Sequence, residues 1–313
     1  MATARSVAVV PEAVVAVAEH PALRTRPAAD WHSPWHWFDG TERSATAILA
    51  LDAVNFCFWG DRDGDPRWQV TMNGECLNGY WACAACMKRA IDSGRALYDA
   101  HYLARLTHVD VAEIFAGDAG QPPIPLLEER LLCLREVGDV LLHTYQGRIS
   151  NLLAIASEDA VQLTLLLADD FSSFRDVACY NGIDVRLCKR AQITVADLHG
   201  AFTGEGFGRF RNMESLTAFA DYKVPQVLRR YGVLVYEDAL AATIDRSQHI
   251  PAGVPWEVEI RAATVCAVDD IRTAMARRGV RRTAPEIDWH LWLLGQERDP
   301  LDRPYHRTRT IFY

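Results

Sequence analysis

Apolar residues recur three and four positions apart along most of the chain, the spacing that gives a helix one buried face. This pattern predicts helices over 11–20, 45–59, 79–93, 109–115, 126–144, 158–171, 191–202, 213–219, 225–231, 237–246, 256–277 and 284–294. Alternation of period two is rare, and predicts strands only at 67–72, before the Asn73-Gly74 turn, and at 185–187. Turn-forming residues concentrate at 61–66, 117–125 and 204–208, each run too short for an interdomain linker. No repeat of 30–50 residues is visible, which weakens an α-solenoid. The expected fold is mainly α with a few short β-strands: a single compact helical domain over 31–313, with 1–30 as an N-terminal helix or arm packed against it.

Composition narrows the partners. Half of the 313 residues are hydrophobic, enough for a large core. A formal net charge of -8 argues against duplex nucleic acid, which is bound through a basic footprint, while a small phosphorylated ligand needs only a few local cations. The eight cysteines are spread along the chain rather than set in a disulfide framework, which predicts reduced thiols and a cytoplasmic protein. The apolar run at 6–18 resembles a signal-peptide core, but Pro11 and Glu12 break it. No stretch reaches the ~20 uncharged residues of a membrane span. Cys83 and Cys86 have half of a zinc or redox spacing with no matching second pair, and read as buried structural thiols. His32 and His36 are four apart, but Pro34 between them spoils a helical metal pair, so no metal is expected.

Chemistry shows first at 215–236, SLTAFADYKVPQVLRRYGVLVY, where Asp221 and Lys223 interrupt an apolar run. A carboxylate in such a setting must be paired or used. On a helix over 45–59, Asp52, Asn55, Phe56 and Trp59 would share one stripe at i, i+3, i+4 and i+7. That stripe suits a flat heterocycle that is stacked on a ring and read along its edge, and equally suits an ordinary aromatic core. Lys189 and Arg190 stand just before a helix predicted to begin near 191, where cations and backbone amides can converge on an anion. A surface salt bridge is the alternative for Arg190.

The words DYKVPQ and KRAQI, together with LDAVNFCFWGD at 51–61 and VPWEVEIRAAT at 254–264, resemble those of the queuosine salvage proteins, and the resemblance covers the chain from about 31 to 313. It implies an N-ribosyl hydrolase that releases the base queuine from queuosine 5'-monophosphate without a cofactor and as a monomer. Asp221 would stabilise an oxocarbenium-like transition state and orient water. The base-binding set would be Asp52, Asn55, Phe56, Trp59 and Tyr222, and Lys189 and Lys223 would meet phosphate or ribose. Queuine is a 7-deazaguanine, so protonation at N7 is closed to it and its other edge atoms must carry the leaving charge. Arg261 and the C-terminal PYHRTRTIFY are family-like without a derivable role. The family is also similar to the helix-hairpin-helix DNA glycosylases, but Ala218 and Ala220 stand where a DNA-binding hairpin would carry glycines. A base-excision DNA glycosylase and a non-catalytic helical nucleotide-binding protein are the competing readings.

Overall fold

Short polar side chains and prolines set where the helices begin, as the sequence requires. Thr107 and Thr283 each form a reciprocal capping box, with Asp110 and Glu286 respectively, and Asp159 accepts the first amides of Ala160–Asp170. Pro11 and Pro255 occupy first turns, where a missing N–H is harmless. The computed structural model describes residues 4–25, 30–60, 66–297 and 299–313. Over these residues the chain is mainly α, with six short strands in three antiparallel pairs. None of these helices is long and apolar enough to cross a membrane.

The buried side chains form two clusters. One is built on the helices Glu42–Ala53, Gly79–Asp92, Leu127–Tyr145, Ala160–Asp170 and Lys189–Ala201. The other joins Lys223–Arg230, Asp238–Asp245, Pro255–Ala276 and Ala284–Leu294 to the N-terminal segment. The apolar run at 6–18 is divided by Pro11 into a strand, Val7–Val9, which pairs with Leu234–Tyr236, and a helix, Pro11–Ala18, which packs on Pro255–Ala276. Cys83 and Cys86 are buried, and burial pushes both thiols up to about 12. The turn signal at 61–66 falls mostly outside the described residues.

Two predicted helices are corrected. The helix expected over 45–59 runs from Glu42 to Ala53 and stops, so Asp52, Asn55, Phe56 and Trp59 do not share a helical stripe. The reason lies in two distant arginines. Arg130 donates to the carbonyls of Val54, Phe56 and Cys57, and Arg190 to those of Asp52 and Ala53, replacing the bonds that further helix would have made. Both are fully buried, so the surface salt bridge considered for Arg190 is excluded. The helix expected over 213–219 is a single 3-10 turn, Met213–Ser215, followed by chain without regular secondary structure through Ala220. Gln192 and Asp288 take over the hydrogen bonding there, accepting the amides of Thr217 and Phe219. The strands Val7–Val9, Glu75–Asn78, Val177–Tyr180 and Leu234–Tyr236 were not expected, because three or four residues are too short to display a period.

Candidate active site

A cavity of about 460 Å³ opens where the two clusters meet. The first cluster contributes residues 55–59, the Asn78–Trp81 corner and one face of Lys189–Ala201; the second contributes 219–226 and the end of Ala284–Leu294. Asp221, Tyr222, Lys223, Lys189, Asn55, Phe56 and Trp59 all line it. Asp52 does not; it lies behind the wall, fully buried.

Asp221 closes the N-terminus of Lys223–Arg230. Its Oδ1 accepts the backbone N–H of Lys223 at 2.7 Å and of Val224 at 2.8 Å, which leaves Oδ2 without a hydrogen bond from the described residues. Burial raises its carboxyl above the usual range, while Lys189 and the two amides act against that rise. Lys189 is the first residue of its helix rather than a residue before it, and follows Cys188 in left-handed conformation (φ 46°). Its Nζ donates to the Asn55 carbonyl at 3.3 Å. Burial lowers the Lys189 ammonium, and Asp221, Asp52 and Asp288 oppose that effect. Lys223 does not form an ion pair with Asp221: its Nζ donates to the carbonyl of Gly295 at 3.1 Å and to Gln226, 5.5 Å from the centre of the Tyr305 ring. Burial lowers its value, and Arg67, another lining residue, lowers it further by like charge.

Sequence reasoning missed two acids. Asp288 lines the cavity with Oδ1 accepting the Phe219 amide at 2.9 Å, and burial, followed by the charge of Asp221, pushes its carboxyl well above the usual range. Asp197 also lines the cavity, and burial lifts it to about 7 against the pull of Trp31, Lys189 and Tyr80. Lys189, Ile193 and Asp197 form one stripe at i, i+4 and i+8 of the KRAQI helix, a signal that was present in the sequence. Asp52 sits against Asp197. Neither of its oxygens makes a hydrogen bond of normal length, although Thr194 and Asp197 stand close enough to act on it, and burial then drives its carboxyl far up.

The acidic pair continues into a chain of fixed polarity. His36 Nδ1 meets the Trp31 carbonyl at 2.5 Å, which can only accept, so Nε2 must accept from the Tyr80 hydroxyl at 2.8 Å. Burial lowers His36 to about 4, consistent with that neutral tautomer.

An aromatic wall was also missed. Trp289 and Trp292 stack at 5.4 Å and 25°, and Trp81 stands edge-on to both at 6.2 and 5.8 Å, with Tyr80 beside them. Across the cavity Tyr222 and Tyr305 lie 4.9 Å apart. Phe56, by contrast, carries the guanidiniums of Arg130 and Arg190 at 4.3 and 5.1 Å from its ring centre, and Trp59 carries that of Arg307 at 4.7 Å. The cavity therefore brings together a capped carboxylate, lysines on two sides and stacked indoles, the elements needed to hold a flat base and its sugar phosphate.

Comparison with known proteins identifies the family. A family model described as queuosine salvage protein matches residues 35–313. A protein of Sphaerobacter thermophilus is 51% identical over 302 residues, covering 96% of this chain and 91% of its own. Relatives from Nematostella vectensis and Mus musculus are 36% and 35% identical, each covering 85% of this chain and 81% of their own. All three are named queuosine 5'-phosphate N-glycosylase/hydrolase.

Proposed function

Because the chain belongs to the queuosine salvage protein family, we propose that it hydrolyses the N-glycosidic bond of queuosine 5'-monophosphate, releasing queuine and ribose 5-phosphate. The observation that carries this reading is Asp221: a carboxylate on the cavity wall with one oxygen held by two amides and the other without a hydrogen bond, beside a buried lysine. As the bond between C1' and the base nitrogen breaks, its electron pair leaves with the base and positive charge develops at C1'. Oδ2 of Asp221 stabilises that charge and receives a proton from the water that adds to C1', and the departing base nitrogen takes up that proton in turn, which restores the carboxylate. Lys189 keeps Asp221 ionised and meets the ribose.

The base lies along the indoles of Trp81 and Trp292, with Tyr222 at its other side and Asn55 and Asp197 at its edge. Asp52 acts on it only through Asp197, and Phe56 serves the turn at 54–57 rather than stacking on the ligand, since its ring already carries two guanidiniums. The 5'-phosphate lies at Lys223 and Arg67. We place the enzyme in the cytoplasm as a monomer, a setting that suits its eight free cysteines.

Incubation of the purified chain with queuosine 5'-monophosphate, with queuine and ribose 5-phosphate followed by mass spectrometry, tests the reading. Asp221→Asn should keep its melting temperature within a few degrees and its affinity for queuine, while losing at least ~100-fold in rate, the scale of removing one such group. No queuine from the unaltered protein, or release of a damaged base from duplex DNA run in parallel, would overturn it.

A further inference from the structure

The two residues that the reading above places at the glycosidic bond hang from one buried ionic cluster, in which Arg261 pairs with Asp176 and, at 3.3 Å, with Glu257. Asp176 lies just before the strand Val177–Tyr180, and its Oδ2 accepts the backbone N–H of Lys189 at 3.1 Å. The Asp176 carbonyl accepts the amides of Leu187 and Cys188, both at 3.0 Å, and so holds the tight turn that starts the Lys189 helix. Arg261, from Pro255–Ala276, grips the Asp176 carboxylate with two nitrogens at 2.9 and 2.5 Å. Its Nε then donates at 2.9 Å to the carbonyl of Ala220, the residue before Asp221. Asp176 and Arg261 are only 3% and 2% exposed, and neither lines the cavity. A buried ion pair is a weak stabiliser, because desolvation consumes much of its attraction, but its planar fork fixes geometry closely.

We propose that Arg261 and Asp176 are positioning residues that set the separation of Asp221 from Lys189, one guanidinium and one carboxylate tying together two elements from opposite sides of the cavity. The inference rests on the assignment of Asp221 and Lys189 to the glycosidic bond. A displacement of about 1 Å at reacting groups is enough to lose on the order of 100-fold in rate.

Arg261→Lys tests it, since a single ammonium can pair with Asp176 but cannot span to Ala220 as the fork does. The expected result is a fall in kcat of at least ~30-fold with the calorimetric Kd for free queuine within about twofold, because the base wall is built elsewhere. A kcat within threefold of the unaltered protein, or an equal loss of queuine affinity, would overturn the proposal. If Arg261→Lys does not fold, Asp176→Asn, which keeps the shape and removes the charge, is read by the same criteria. Failure of both to fold would assign the pair a purely structural role and also overturn it. Should the unaltered protein not turn over queuosine 5'-monophosphate, that result counts against the function reading alone. The Asp221 carboxyl 13C shift followed against pH then decides the positioning claim without substrate. Its midpoint should rise by about half a unit in Arg261→Lys as Lys189 moves away, and an unchanged midpoint would refute the claim.

Discussion

At the scale of single residues, the cavity separates its lysines into two kinds. Lys189 is surrounded by three carboxyl groups, Asp221, Asp52 and Asp288, and is suited to balancing their charge. Lys223 stands with Arg67, cation beside cation, as a dianionic phosphate would require. Lys223→Ala and Arg67→Ala should therefore depress kcat/KM for queuosine 5'-monophosphate by at least tenfold more than for queuosine, since only the former carries the phosphate. Lys189→Ala should depress both by similar factors. Parallel assays on the two substrates check this, and a phosphate-selective loss in Lys189→Ala alone would exchange the two roles. The sequence placed Lys189 and Lys223 among the functional residues. The division of labour proposed for them depends on neighbours 32 positions away and more in the chain.

At the scale of elements, close packing of two helices rests on Gly138. It lies within Leu127–Tyr145, the helix that also supplies Arg130 to the 54–57 turn, and a methyl group there would sit 2.6 Å from the Ala100 carbonyl oxygen on Ala100–Ala104. Alanine improves helix propensity by about 1 kcal/mol, but overpacking against backbone costs about 1–3 kcal/mol. Gly138→Ala should thus be neutral to destabilising by up to ~2 kcal/mol in urea unfolding, with turnover per folded molecule unchanged. A gain in stability would show that the short helix can move aside. The two capping-box helices, His108–Ile114 and Ala284–Leu294, were legible in the sequence to within a residue, whereas the end of Glu42–Ala53 was not, because arginines far along the chain terminate it.

At the scale of the whole molecule, the cavity concentrates acids that folding has removed from water. Burial moves Asp197 from an ordinary value of 3.8 to about 7, beside the buried Asp52. A raised folded value means that the proton is held more tightly in the native state. The associated stability is complete below about pH 4 and is lost as pH climbs through about 7. Asp197→Asn, which cannot titrate, should gain on the unaltered protein between pH 5 and pH 8, by several degrees in Tm. Thermal melts at the two pH values check this, and a difference that stays constant or shrinks with rising pH would mean that Asp52 carries the proton alone.

What the sequence determined by itself is what local patterning encodes: a mainly helical chain, and the words DYKVPQ and KRAQI that mark the queuosine salvage family. Acids or bases that interrupt an apolar run, as Asp221 and Lys223 do, are visible in one dimension because burial of charge is costly wherever it occurs. The aromatic wall, the place of the Asp288 carboxyl, and the exclusion of Asp52 from the cavity were decided only by the tertiary structure. Each depends on segments distant in the chain meeting in space, and no periodicity along a single segment specifies which partner the others will bring.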